Sequence, residues 1–96
     1  MKTFRFRFTP EARRLISRLH PENKKQIKKA LVQIQKNPYL GDDLQEELSG
    51  FKSFKQKRYR ILYQVDDVKR TIDVYYVGHR RNVYDEFRRL LKQMSP

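Results

Sequence analysis

Both the fold and the candidate site follow from one stretch of the chain, Tyr76-Val77-Gly78-His79-Arg80-Arg81-Asn82-Val83-Tyr84-Asp85-Glu86-Phe87. Its first residues form an apolar run typical of a β-strand, which ends at Gly78 and is followed at once by a histidine and two arginines. Val83 and Phe87 then recur at helical spacing, with Tyr84 at the edge of the apolar stripe. Because the strand end brings these cations and a tyrosine into one small volume, the stretch is suited to binding a polyanion.

Upstream of this stretch, alternation with a period of two predicts three strands in a row. Phe51 to Lys57 and Tyr59 to Asp66 are separated by little more than Lys57-Arg58, and a short hairpin connection leads to the third strand, Thr71 to Val77. The second strand is apolar on both faces, as a central strand requires. One face carries Tyr59, Ile61, Tyr63 and Val65, and the other carries Arg60, Leu62 and Gln64.

The first half of the chain predicts one strand and two helices. Thr3 to Phe8 alternates phenylalanine with arginine, and Thr9-Pro10-Glu11 supplies the cap, the proline and the acid of a helix start. His20-Pro21 separates this helix from a second one over about Glu22 to Asn37, so the two helices form an antiparallel hairpin. The segment from Tyr39 to Gly50 is predicted to be irregular.

The resulting order β-α-α-β-β-β-α predicts an α+β fold. We expect a single domain over residues 1–96, built as one antiparallel sheet with the helical hairpin covering one face. A short C-terminal helix that frays at Ser95-Pro96 completes the chain.

Charge is the strongest signal in the composition, because 23 lysines and arginines face 11 acids and give a net charge of +12. Nucleic acid is the first partner to consider, with an anionic membrane or an acidic protein as alternatives. There is no cysteine, and the two histidines, His20 and His79, are far apart in sequence, so no metal site or cofactor is expected. The chain has no signal-peptide pattern and no apolar run long enough to span a membrane, which predicts a cytoplasmic protein.

Five cations within nine residues mark the strand pair before the opening stretch, with no acid among them. They could be a solvated edge strand protected from aggregation. That interpretation does not explain Arg60, because a largely buried arginine needs a partner and phosphate is a natural one. The five are Lys52, Lys55, Lys57, Arg58 and Arg60.

Three features admit a catalytic or a structural interpretation. Tyr84 could stack on a base beside the arginines, or simply pack at the edge of the core. His79 could act as a general base, although a histidine at a strand end is more often packed or solvated. A carboxylate of the acidic loop could also act as base, or the loop could balance a basic surface; its acids are Asp42, Asp43, Glu46 and Glu47.

Two motifs resemble those of the RelE/ParE superfamily of toxins from type II toxin–antitoxin modules. Tyr59 to Val65 is similar to the family's central-strand motif, and Gly78 to Tyr84 is similar to its C-terminal motif. The resemblance covers nearly the whole chain, including the order of its elements. It implies an endoribonuclease of the RelE branch that cleaves mRNA in the ribosomal A site by attack of the RNA's own 2′-hydroxyl, leaving a 2′,3′-cyclic phosphate. The alternatives are a ParE-like inhibitor of DNA gyrase and a nucleic-acid-binding module without cleavage.

The resemblance also assigns roles to residues. Arg60, Arg80 and Tyr84 match the catalytic set of the RelE branch, and the family's basic residues on the preceding strand match more loosely, with Lys55 and Lys57 as catalytic candidates. Ser53 and Phe54 fall where some relatives have lysine. A sub-branch that uses a carboxylate and a histidine as its acid–base pair is similar around Leu48-Ser49-Gly50-Phe51 and keeps Asp42 and His79 as alternatives. The general base therefore stays open among Lys55, Lys57, His79 and Asp42. RNA binding is expected of Lys52, Arg58, His79 and Arg81.

The resemblance further implies partners. We expect a small, acidic, RelB-like antitoxin wrapped over the basic face, with the ribosome and mRNA as targets. Operator DNA would be bound only through the antitoxin complex, since the chain shows no recognition helix of its own. No membrane partner is expected.

Overall fold

The computed structural model describes residues 3–94, so the fraying predicted at Ser95-Pro96 falls outside the described part. The elements follow the predicted order, with one short extra strand and two 3₁₀ turns, Pro38–Leu40 and Glu46–Leu48. The strands are β1 (Arg5–Phe8), β2 (Asp42–Asp43), β3 (Lys52–Gln56), β4 (Tyr59–Asp66) and β5 (Thr71–His79). The helices are α1 (Pro10–Ser17), α2 (Pro21–Lys36) and α3 (Val83–Met94).

The strands form one sheet in the order β1-β5-β4-β3-β2, which confirms the α+β class and the central position of β4. The prediction that the sheet is wholly antiparallel is wrong, because β1 pairs with β5 in parallel. The reason is connectivity. The helical hairpin carries the chain from β1 to the far edge of the sheet, and the two tight turns that follow bring β5 back beside β1 in the same direction.

The residues predicted to start the first helix do so, and the predicted break at His20-Pro21 also begins the second helix. Thr9 caps α1, since its Oγ1 accepts a hydrogen bond from the Ala12 N–H at 3.1 Å, and Pro10 takes the first helical position. His20 caps α2, with its Nδ1 accepting from the Glu22 N–H at 3.3 Å. None of the helices in residues 3–94 is long and apolar enough to cross a membrane.

Each face of the sheet has its own core. The hairpin packs on the first face, where its buried residues Ala12, Ile27 and Ile34 meet the face of β4 that holds Ile61 and Tyr63. Helix α3 packs on the opposite face, which we call the α3 face. That second core consists of Leu48, Phe51, Leu62, Tyr76, Val83 and Phe87. The alternation predicted for the central strand is therefore confirmed.

One irregularity in β5 determines which face of the sheet the side chains in its second half point to. Leu62 pairs with Tyr76 but Tyr63 pairs with Val74, so Tyr75 is an extra residue in the ladder. Before this bulge, Val74 contributes to the first core; after it, Tyr76 contributes to the second. Gly78, two residues further on, therefore lies on the α3 face.

Gly78 is required because the start of α3 approaches the sheet closely. A Cβ at this position would lie 3.1 Å from Val83 Cγ2 and 3.2 Å from Tyr76 Cε2. Both neighbours are buried and would have to move. The glycine thus lets α3 begin directly above the end of β5.

The irregular segment is fixed at β2 by a buried tyrosine. The Tyr63 hydroxyl donates to the Pro38 carbonyl at 2.8 Å and accepts from the Gly41 N–H at 3.0 Å. Burial raises the pKa of the Tyr63 hydroxyl. The acidic loop therefore stays at the edge of the sheet, where Asp43 accepts from Lys52 Nζ at 2.6 Å.

Candidate nucleic-acid site

The register of three strands lines up the central features of the site. Lys55 pairs with Arg60, and Arg60 pairs with Gly78. Paired residues in antiparallel strands point to the same side of a sheet. Since Leu62 lies in the second core and Arg60 precedes it by two residues, this row faces α3. We call it the basic row; at Gly78 the row carries no side chain, and Val83 and Tyr76 pack against this position.

Tyr84 is held on the same face by a residue of β3. Its hydroxyl hydrogen-bonds the Ser53 Oγ at 2.9 Å, and its half-buried ring packs against the second core. Ser53 is only 2% exposed and lies two residues before Lys55 on the strand. Strand β3 therefore supplies both a cation and the anchor of the tyrosine.

Arg60 is half-buried and lies along the adjoining turn. Its Nη1 donates to the Tyr59 carbonyl at 3.1 Å and the Lys57 carbonyl at 3.4 Å. Within residues 3–94, no carboxylate pairs with it. Backbone carbonyls thus fix the direction of the guanidinium, and its remaining donors stay available for an anion.

The other candidate cations surround the end of the β3–β4 hairpin. Lys57 is in the turn with a φ of 53°, so it leaves the strand face on which Lys55 lies. Arg58 and Arg80 are exposed and their segments are joined, because the Arg80 N–H donates to the Arg58 carbonyl at 2.7 Å. Arg81 is also exposed, and its N–H donates to His79 Nδ1 at 3.3 Å.

Two predicted residues lie on the opposite face from the basic row. Lys52 pairs with Tyr63 and binds Asp43, so it belongs to the hairpin side. His79 pairs with Tyr59, and their rings meet edge to face with centroids 6.0 Å apart. The structure therefore brings Lys55, Arg60 and Tyr84 together but not these two.

The acidic loop reaches the site only at its edge. Asp42 is exposed and pairs with Ser53 through β2, a strand that the sequence did not predict. Glu47 accepts from Arg88 Nε at 3.0 Å, which ties the loop to α3. Among residues 3–94, no group of three or more histidine, cysteine or acidic side chains is placed to hold a metal ion.

Sequence reasoning missed the role of Ser53. It was noted only as a position where some relatives have lysine, although its place between Phe51 and Lys55 in a strand of period two puts it on their face. A small polar residue at such an inward position needs a hydrogen-bond partner. That requirement was the available signal, but it does not identify a partner 31 residues away.

The arrangement places cations and an aromatic ring on one face of the sheet. Lysine and arginine can contact phosphate oxygens, the guanidinium in bidentate form, and a tyrosine ring beside them can stack on a base. Such a set of side chains can bind single-stranded nucleic acid largely independently of its sequence.

Comparison with known proteins identifies the family. The chain belongs to the family described as ParE-like toxins of type II bacterial toxin–antitoxin systems, whose model matches residues 7–88. The predicted membership of the RelE/ParE superfamily is thereby confirmed, and the protein is a toxin of a type II toxin–antitoxin system.

Particular relatives place it near the RelE toxins. The chain is 34% identical over 84 residues to Toxin RelG of Mycobacterium tuberculosis, covering 81% of this chain and 92% of that protein. It is similar to a chain of the toxin–antitoxin complex RelBE2 of M. tuberculosis, with a TM-score of 0.74, 32% identity, and 82% and 100% of the two chains covered. Isolated E. coli RelE toxin matches with a TM-score of 0.69, 26% identity, and 92% and 98% covered.

Proposed function

We propose that this toxin is a metal-independent endoribonuclease that cleaves mRNA in the ribosomal A site and so inhibits translation. The observation that carries the proposal is the basic row with Tyr84 beside it, in which Lys55 faces Arg60 across a strand pair and Arg60 faces Gly78 across the next. Similarity to Toxin RelG and to RelE supports the RelE branch.

In this reaction the RNA supplies its own nucleophile. The 2′-oxygen forms a bond to the adjacent phosphorus while the bond to the 5′-oxygen breaks, giving a 2′,3′-cyclic phosphate and a 5′-hydroxyl. The proton of the 2′-hydroxyl goes to a general base, and a proton is delivered to the leaving 5′-oxygen. Because no water has to be activated, no metal is needed.

The protein's part is mainly electrostatic. Arg60 and Arg80 would stabilise the charge that develops on the phosphorane, and Arg80 would assist the leaving oxygen. Among the four base candidates, Lys55 is the one whose side chain shares the face of Arg60 by direct pairing. Tyr84 would stack on a nucleotide and fix its orientation, with its hydroxyl held by Ser53.

The partners follow from the family and the charge. RelBE2 of M. tuberculosis is a toxin–antitoxin complex, and a net charge of +12 here suits a small acidic, RelB-like antitoxin. Operator binding would be a property of that complex, through the antitoxin. Action on translating ribosomes places the protein in the cytoplasm.

The test measures ribosome-dependent mRNA cleavage by mapping 5′ ends for Arg60→Ala, Arg80→Ala and Tyr84→Ala. Loss of one charge-stabilising donor should slow cleavage by about 10²–10³-fold. Arg5→Ala is the matched control, because this exposed arginine lies on β1, away from the basic row, and should cleave normally.

Wild-type rates in all three variants would reject the site assignment. Relaxed plasmid with intact mRNA in treated cells would instead support gyrase inhibition. Salt-sensitive RNA binding without any cleavage would identify a plain nucleic-acid-binding module.

A further inference from the structure

A second concave site lies on the hairpin side of the β3–β4 turn. It is a pocket of about 180 Å³ between α2 and the end of the hairpin. This is smaller than the roughly 300–1,000 Å³ of pockets that hold drug-sized molecules, and it suits one planar ring system. Three amides, two cations and one aromatic ring line it: Asn23, Gln26, Gln56, Lys57, Arg58 and Tyr59.

The amides of the pocket are ordered and partly free. Gln56 Nε2 donates to Gln26 Oε1 at 3.0 Å, and Asn23 Nδ2 donates to the Tyr59 hydroxyl at 3.1 Å. The glutamine pair therefore keeps one NH₂ donor, on Gln26, and one carbonyl acceptor, on Gln56, unused by this hydrogen bond. Exchanging O and N in both amides leaves the same free pair. A donor and an acceptor in one pocket can complement the edge of a nucleobase.

The remaining lining residues match a nucleotide as well. Lys57 and Arg58 are exposed at the rim, where they can contact phosphates, and Tyr59 offers a half-buried aromatic ring. No acid lines the pocket.

The pocket is also adjacent to the proposed cleavage site. Arg58 forms its rim, and its backbone carbonyl accepts from the Arg80 N–H at 2.7 Å, while the Arg60 guanidinium donates to the Lys57 carbonyl. One short turn thus separates the basic row on the α3 face from the pocket on the other. An RNA strand whose phosphate lies at Arg60 can pass over this turn.

We propose that this pocket holds one unpaired nucleobase of RNA, adjacent to the nucleotide at the basic row. The proposal rests on the proposed action on RNA and adds a second base-binding position to it. The base is read by the free groups of Gln26 and Gln56, and the neighbouring phosphate is held by the turn.

The test is an abasic scan. A single-stranded RNA oligonucleotide with 2′-O-methyl groups cannot be cleaved by its own hydroxyl, and one base at a time is removed from it. Fluorescence anisotropy measures binding to the wild type and to Gln26→Leu/Gln56→Leu, which removes the amides but keeps their bulk. The control is Gln33→Leu/Gln93→Leu, two exposed glutamines outside the pocket.

For the wild type and the control, base removal should weaken binding by about tenfold at two separate positions, one for Tyr84 and one for the pocket. The glutamine variant should retain only the sensitive position that corresponds to Tyr84. Because no cation is removed, its salt dependence should not change. An identical abasic profile in the wild type and the glutamine variant would overturn the proposal, as would a wild-type profile with one sensitive position.

The source of the base is identified on ribosomes. The base belongs to mRNA if the glutamine variant and the wild type bind equally well to ribosomes that carry no mRNA, but the variant binds less tightly to ribosomes that carry mRNA. The base belongs to ribosomal RNA if the variant binds less tightly to both kinds of ribosome. Equal binding on both would overturn the proposal. If mRNA is not cleaved but the glutamine variant still has a different abasic profile from the wild type, the proposed nuclease activity is rejected and the base-binding pocket is supported.

Discussion

The hydrogen bond between Ser53 and Tyr84 predicts how much each of its two partners contributes to the free energy of unfolding, because the two residues are buried to different extents. Ser53 is 2% exposed, whereas Tyr84 is half-buried, so the two single substitutions should not be equivalent. Tyr84→Phe leaves the serine hydroxyl buried without a partner, which costs about 1–3 kcal/mol. Ser53→Ala leaves a tyrosine hydroxyl that can turn to water, and should cost about 0.5–1.5 kcal/mol.

The double variant sharpens the test. Once Tyr84→Phe is present, Ser53→Ala removes an unsatisfied buried group and should be neutral or stabilising. The coupling energy of the cycle should therefore be at least about 0.5 kcal/mol. Urea unfolding with linear extrapolation measures all four proteins, and the dependence of the free energy of unfolding on urea should be the same in each.

Ser17→Ala is the matched control, because this exposed hydroxyl bonds only the Arg14 carbonyl and should show no coupling to Tyr84→Phe. If Ser53→Ala destabilises the protein equally with tyrosine or phenylalanine at position 84, the hydrogen bond does not hold the ring and the argument fails.

Three further outcomes are expected. Gly78→Ala should lower the free energy of unfolding by about 1–3 kcal/mol in urea, since its Cβ would lie 3.1 Å from Val83 Cγ2, and an unchanged midpoint would contradict that approach. Lys55→Met should reduce the slope of log affinity for single-stranded RNA against log salt by about 0.7, while Lys52→Met, on the other face, should not; equal slopes would refute the division of faces. Burial raises the pKa of Tyr63 above its ordinary 10.0, so the unfolded chain loses this proton first and stability falls as pH rises through the folded pKa. The destabilisation by Tyr63→Phe, measured by urea unfolding, should thus shrink above pH 10.0, and a constant difference would count against it.

Local pattern was sufficient for most of the fold. The alternation of β4, the cap at Thr9 and the break at His20-Pro21 are properties of a few adjacent residues, and the structure confirms them. The direction of β1 was not accessible in this way. It depends on which strand lies beside it, and that is decided by where the whole chain between them runs.

The candidate site was predicted only in part, because local pattern indicates strand pairing across a tight turn but not the backbone conformation of the turn itself. The pairing of Lys55 with Arg60 follows from the tight turn between their strands. The sequence alone kept Lys57 beside Lys55 as a catalytic candidate and Lys52 as an RNA-binding residue, although a period of two places Lys52 on the face opposite Lys55. Lys57 leaves the strand because the turn takes a φ of 53° there, which the residue type does not indicate.

The extra residue at Tyr75 has a consequence for how such toxins can diverge. Because side chains alternate, one more residue in β5 reverses the facing of everything after it. If Tyr75 took a regular place in the ladder instead, His79 would turn to the face of Arg60 and Gly78 would move to the hairpin side. The bulge in one strand, with no substitution at its end, thus decides whether a histidine or a glycine lies opposite Arg60.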